Sequence, residues 1–321
     1  MRRWGVVAAL AMALAGTAAQ AGVGVESFSM PDPGGPPIEV GVWYPSDAPA
    51  KPTHLGLSVQ DVAVGAPVKG RGLPLVVISH GNGGSYGGHY DTAVALAEAG
   101  FVVAALTHTG DNYRDQSRAT AMWERPRQLK VLIDHMTGVW RPGVVDPKRV
   151  GAFGFSSGGF TVLAAAGAKP DMTGVAAHCR EHPAFYDCRL MGQRPPGAPG
   201  VFVADPRIRA VVSAAPAMGW SLTKSALAGV AAPVQLWRAE NDEILPSPFY
   251  ADAVRANLPR PPAWHIVPGA THFSFLAPCS AQARAVMGPL CADPPGFDRE
   301  AFHRRFNAEV TAFLRRELAA P

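Results

Sequence analysis

The chain has 321 residues, 48% hydrophobic and 17% charged, which suits one large α/β domain or two small ones with a sizeable buried core. Its formal net charge of +4 falls to +2 without Arg2 and Arg3, and no Lys/Arg-rich run is present, which sets aside nucleic acid as a partner. The longest apolar run near the start is far short of the roughly 20 residues a membrane span needs, and no later segment is long and uncharged enough.

Met1-Arg2-Arg3, the apolar run from Trp4 to Gly16 and Ala19-Gln20-Ala21 have the three parts of a secretory signal peptide, with cleavage predicted after Ala21. Residues 22–321 are then a single domain, exported to the periplasm or secreted. Gly24 to Met30 and Ile38 to Tyr44 read as two strands joined by a wide loop over Pro31–Pro37, and residues 45–73 as loop with at most one short strand. Pro74 to Ser79 is a continuous β-branched run of the kind buried on both faces of a parallel sheet. After it come His80-Gly81-Asn82-Gly83-Gly84, a helix with Ala93, Leu96 and Ala97 on one face, and a strand from Phe101 to Leu106: one βαβ unit.

A helix from about Arg125 to Thr137 places Leu129, Leu132, Ile133 and Met136 at i, i+3, i+4 and i+7, with Gly138 as its stop. The following strand runs into Gly154-Phe155-Ser156-Ser157-Gly158 and another helix. Lys169 to Pro206 then breaks the rhythm; rich in Pro and Gly, it reads as a lid-like insertion, about 169–206, over the cleft. Alternation resumes with strands at Ile208 to Ala215, Pro233 to Trp237 and Ala263 to Val267, and a last helix buries Phe302, Phe306, Val310 and Phe313. The predicted architecture is an α/β fold, a mostly parallel sheet of about eight strands with helices on both faces.

Gly154-x-Ser156-x-Gly158 is the pattern of a nucleophile elbow, a strand-to-helix turn so tight that the residues two before and two after the nucleophile must lack bulk. With Ser157 as nucleophile one of those places would hold Phe155, so Ser156 is the candidate. A serine hydroxyl needs an imidazole to take its proton and an acid to fix the imidazole's tautomer, in the chain order Ser, acid, His. Asp242, just past the Pro233–Trp237 strand, is the candidate acid, with Glu240 and Glu243 as weaker neighbours; the earlier strand ends at Pro216 without a carboxylate. His272, in the Gly-containing loop after the last strand, is the candidate base, and His265 inside that strand reads as structural. Oxyanion donors are predicted at the backbone N–H groups of Ser157, at a helix start, and Asn82, in the Gly-rich loop. His80, His108 and Asp111 stand at strand ends and are candidates for shaping substrate binding, with structural loop hydrogen bonds the equal alternative for His108 and Asp111. Rossmann and Walker phosphate patterns are both absent, so no coenzyme is predicted.

The four cysteines fall in two close pairs, predicting the disulfides Cys179–Cys188 and Cys279–Cys291, the most local of three connectivities. A metal site from His178, Cys179, His182 and Cys188 is the sharper alternative, but its spacing matches no familiar zinc pattern, and no metal is predicted.

Taken together, His80-Gly-Asn-Gly-Gly, His108-Thr-Gly-Asp-Asn, Gly154-Phe-Ser-Ser-Gly-Gly, Asp242 and Gly269-Ala-Thr-His272 resemble the α/β-hydrolase superfamily over about residues 24–318. Within it the chain looks most like exported bacterial proteins grouped with dienelactone hydrolases and platelet-activating-factor acetylhydrolases. It departs from the former by having Ser156 where they have cysteine, and from the latter by having Pro216 where their acid stands. The resemblance implies a serine hydrolase that cleaves small-molecule carboxylic esters, short-chain or lactone-type, without a cofactor. An amidase, peptidase or polyester depolymerase with the same triad is the alternative, and a non-catalytic binding protein on a hydrolase scaffold is the rival from another class. Oligomeric state is not readable.

Overall fold

Apolar runs bounded by Gly and Pro become the inner strands of one sheet, and the amphipathic segments between them become its helical layers. The computed structural model describes residues 22–198 and 200–320, so the predicted leader, Met1–Ala21, lies outside the described residues. Strands β1 (Gly22–Asp32) and β2 (Gly35–Ser46) form an antiparallel hairpin, and β3 (Lys51–Leu55) and β4 (Ser58–Val64) form another. From β5 (Leu73–Ser79) the chain alternates through α1 (Tyr90–Glu98), β6 (Val102–Thr107), α2 (Glu124–Gly138), β7 (Val145–Phe155) and α3 (Ser157–Ala165). The insertion carries α4 (Val175–Glu181) and α5 (Tyr186–Gln193). After it come β8 (Ile208–Ala214), α6 (Lys224–Leu227), β9 (Val234–Ala239), α7 (Ala251–Asn257), β10 (Ala263–Val267), α8 (Ala281–Cys291) and α9 (Arg299–Glu317).

The strand order is β10-β9-β8-β7-β5-β6-β2-β1-β4-β3, with every pair from β6 to β10 parallel. Period-two alternation splits the buried side chains between two cores. Leu75 and Val77 of β5 and Val102, Ala104 and Leu106 of β6 face Leu129, Leu132, Ile133 and Met136 of α2. Val76, Ile78, Val103 and Ala105 face Ala93, Leu96 and Ala97 of α1 and Phe302, Phe306, Val310 and Phe313 of α9. Both faces of the central strands are thus dry, which is why their sequences run apolar without a polar partner.

The sheet has ten strands where about eight are predicted. The two extra ones, β3 and β4, lie in the stretch 45–73. In β4 the buried positions are Gln60 and Val62, while Val59 and Val64 are exposed. Gln60 is accommodated because its Oε1 accepts the Trp43 indole N–H at 2.8 Å. The β1–β2 loop is tight rather than wide, with Asp32 paired to Gly35. Asp32 closes that turn by accepting the Gly34 N–H at 2.9 Å and both arms of the Arg127 guanidinium at 2.6 and 2.8 Å.

Candidate active site

The turn from β7 into α3 brings Gly154 and Gly158 into backbone contact. A Cβ added to Gly154 would run into the Gly158 carbonyl, and one added to Gly158 into the Ser79 carbonyl of the neighbouring strand. Ser156 sits between them at φ 56°, ψ −119°, a left-handed conformation that costs a non-glycine residue about 1–3 kcal/mol. The surroundings hold it there: the Ser156 N–H donates to the Ala214 carbonyl at 2.9 Å, and its own carbonyl accepts from Ala217 and Phe160 at 3.0 and 3.1 Å. The next residue, Ser157, is the first of α3, where backbone N–H groups have no partner within the helix.

Past the end of β9, Asp242 turns one carboxylate oxygen onto the N–H groups of Ile244 and Leu245, at 3.1 and 2.7 Å. Its other oxygen meets His272 Nδ1 at 2.9 Å, and His272 Nε2 lies 3.1 Å from Ser156 Oγ. All three side chains are buried, and the Phe155 ring lies 4.7 Å from that of His272, closing one flank. The neighbouring carboxylates serve the backbone instead: Glu243 accepts the His272 N–H at 3.1 Å, and Glu240 accepts the Gly269 N–H at 2.8 Å. His265 stacks on Trp237 at 3.9 Å, away from this line.

The loop His80–Gly84 lies opposite, and a Cβ on Gly81 would stand 3.2 Å from that of Ser156. His80, His108 and Asp111 are turned from the cleft, and the structural hydrogen-bonding alternative is the one they take. They are 2%, 0% and 2% exposed and form a scaffold behind the loop. His80 Nδ1 donates to the Gly81 carbonyl at 2.6 Å, leaving Nε2 to accept the His108 N–H at 3.0 Å. His108 Nδ1 donates to Gln128 Oε1, and its Nε2 accepts the Ser79 hydroxyl, both at 2.8 Å. Asp111 accepts the Gly83 N–H at 3.0 Å and the Asn82 side-chain amide at 2.6 Å.

The residue that turns these groups inward is Arg125, at the start of α2. Its buried guanidinium pairs with Asp111, donates to the His80 carbonyl and reaches Thr161 Oγ1 at 3.0 Å. Burial, reinforced by the Arg125 charge, holds both His80 and His108 well below the ordinary histidine range, so both rings are neutral. Arg125 has one legible trace in the sequence: it stands four residues before Leu129, in line with the apolar stripe of its helix.

Helix α5 forms the far wall. The cleft around Ser156 has walls of Ala119, Met122, Leu190, Met191, Met218 and Leu245, with Thr120, Ser157, Tyr186 and Asp187 as the polar groups among them. The disulfide Cys179–Cys188 ties α4 to α5, with Cα atoms 5.2 Å apart, and Cys279–Cys291 clips α8 to the preceding loop, at 5.8 Å. The first bond consumes both sulfurs of the alternative metal set. Asp187, beside it, has both oxygens engaged by Tyr250, Trp220 and the Cys188 N–H. His178 stacks on Trp220 at 5.3 Å and His182 on Phe185 at 4.5 Å, so this cluster packs as an aromatic seam.

A mostly parallel sheet with helices on both faces, an elbow after β7, an acid after β9 and a histidine after β10 define an α/β-hydrolase fold. The solved ferulic acid esterase from Streptomyces cinnamoneus is similar over 95% of this chain and 94% of its own, with a TM-score of 0.63 and 20% identity, a likeness of fold. Residues 88–191 match the model of the Prolyl oligopeptidase family. The protein named "Putative esterase NocK", of Nocardia uniformis subsp. tsuyamanensis, is 33% identical over 121 residues, 35% of this chain. That match spans 34%, about a third, of the curated relative's length.

Proposed function

We propose that this protein is a serine hydrolase of carboxylic esters, with Ser156 as nucleophile, His272 as general base and Asp242 as the group that orients and stabilises the imidazolium. The observation that carries the reading is the unbroken buried line from Ser156 Oγ through His272 to Asp242, at 3.1 and 2.9 Å. Ser156 Oγ attacks the ester carbonyl while its proton passes to His272 Nε2. The oxyanion forms against the N–H groups of Asn82 and Ser157, each such donor being worth about 3 to 4 kcal/mol. His272 then returns the proton to the leaving alcohol, and a water activated by the same ring clears the acyl-enzyme. Every step uses side-chain and backbone groups and one water, so the scheme calls on no cofactor.

The small cleft, with mostly apolar walls and a few polar groups, supports short-chain or lactone-type esters as substrates. Residues 88–191, which include Ser156, match the Prolyl oligopeptidase family model, and that favours amide or peptide cleavage as the second reading. Two sequence-local disulfides, and the absence among the described residues of a helix long and apolar enough to cross a membrane, support an exported protein.

A fluorophosphonate is expected to label Ser156 stoichiometrically, and Ser156→Ala to lower p-nitrophenyl acetate turnover by about 10⁴-fold or more. Undiminished turnover in Ser156→Ala would overturn the reading. A panel of esters, lactones and amides run alongside separates the two substrate classes.

A further inference from the structure

Two adjacent side chains of the insertion have separate anchors on the body of the protein. Asp187, 5% exposed, accepts the Tyr250 hydroxyl at 2.8 Å, the Trp220 indole N–H at 2.7 Å and the Cys188 N–H at 2.9 Å, which pins the start of α5. Tyr186, partly buried, puts its ring in the wall of the Ser156 cleft and donates its hydroxyl to Asn82 Oδ1 at 2.5 Å. Asn82 is therefore gripped from two sides: Nδ2 donates to Asp111, itself paired with Arg125, and Oδ1 accepts from the insertion.

Asn82 needs such a grip. It lies between Gly81 and Gly83, the latter at φ +67°, in a segment whose glycines give the backbone little stiffness of its own. An oxyanion donor is effective only when its N–H is already aimed before charge develops. The flanking backbone is held only at the Gly81 carbonyl, which takes bonds from His80 and the Gly84 N–H, and at the Gly83 N–H, which donates to Asp111; the side-chain clamps supply the remaining restraint on where the Asn82 N–H points.

We propose that Tyr186 is a positioning residue for the oxyanion hole: its hydroxyl holds the Asn82 side chain, and through it the Asn82 N–H, so the hole is complete only while α5 is seated. This rests on the reading of Ser156 as nucleophile. The insertion then does more than wall the cleft, since closing it and aiming one oxyanion donor are the same event.

The test compares Tyr186→Phe, Asn82→Ala and the double variant on p-nitrophenyl acetate, with fluorophosphonate labelling rates and melting temperatures measured on each. Tyr186→Phe keeps the ring in the wall and removes only the donor. Its kcat should fall about tenfold with KM within about twofold of wild type, one hydrogen bond's worth of transition-state stabilisation. The labelling rate should fall by the same factor, with little change in melting temperature. Asn82→Ala keeps the backbone N–H but loses both clamps, so it should lose at least as much, and the double variant no more than Asn82→Ala. Wild-type kcat in Tyr186→Phe, a raised KM with kcat unchanged, or losses that multiply in the double variant would each overturn the proposal. Ser156 labelling in the wild type separates the outcomes: if it is retained while Tyr186→Phe is silent, only the role of Tyr186 falls.

Discussion

Lowering the pH from 7.5 to 5.5 is expected to cost this protein a large share of its stability through three buried histidines. His80, His89 and His108 are 2%, 1% and 0% exposed. Burial is the main force holding each below its ordinary value, taking His89 down to about 4 against the opposing charge of Asp91. At His80 and His108 the Arg125 charge acts in the same direction as burial. In the unfolded chain a histidine titrates near 6.5. Below that pH the unfolded state therefore binds protons that the folded state refuses, so stability is full above about 6.5 and falls as the pH drops toward the folded values. Between pH 7.5 and 5.5 an unfolded histidine goes from about one-tenth to about nine-tenths protonated, which removes about 1.4 kcal/mol per site and about 4 kcal/mol for three. That compares with the 5–15 kcal/mol typical of a folded domain. The Asp91 carboxyl does not enter this window. Burial would raise it, but the His303 ring and the hydrogen bonds from His303 and Asn307 outweigh burial and hold it below the usual carboxylate range. Urea unfolding followed by tryptophan fluorescence at the two pH values measures the difference. In His89→Phe, whose ring would sit among Phe153 and Phe155, the pH slope should shrink by about a third. A midpoint that does not move between pH 7.5 and 5.5, or an unaltered slope in His89→Phe, refutes the reasoning.

Gly158→Ala should destabilise by about 3 kcal/mol or more and leave little soluble, active protein, because its Cβ meets the Ser79 and His80 carbonyls; Gly192→Ala, in open space on α5, should be neutral or slightly stabilising. Equal melting temperatures for these two variants would refute the packing argument at the elbow. Arg125→Met strands Asp111 as a buried, unpaired charge, and should cost about 3–5 kcal/mol in urea unfolding while lowering kcat more than it changes KM. Wild-type stability in that variant would show that the guanidinium is not what holds the loop.

Elements carried by local rules were readable in advance and those carried by partners were not. Leu129, Leu132, Ile133 and Met136 share one helical face whatever lies opposite, and α2 runs from Glu124 to Gly138, within a residue or so of its predicted span. The run Pro74–Ser79 needs only to be dry on both sides, and β5 is. Strand β4 is different. Its buried Gln60 is tolerable only because the Trp43 indole, seventeen residues earlier in the chain, supplies a donor, so the alternation that marks a strand is broken in the sequence and restored in space. The Pro31–Pro37 turn is tight for a similar reason: Arg127, ninety-five residues later, completes the hydrogen bonding of Asp32.

The same division runs through the candidate site. Ser156 is legible because Gly154 and Gly158 meet within four residues, and Asp242 and His272 because each follows a strand in a required order. His108 and Asp111 stand in an equivalent position, at the end of β6, and by that rule should have faced the cleft. Arg125 reverses the outcome. A guanidinium buried beside β6 needs a carboxylate and carbonyls around it, and Asp111 and the His80 carbonyl are the groups within reach, so they turn toward it and away from solvent. The neutral rings of His80 and His108 then fill the space that a second charge could not occupy. The polar groups at one strand end thus become the rigid backing of the loop His80–Gly84, a role set by a partner on the next helix rather than by their own position along the chain.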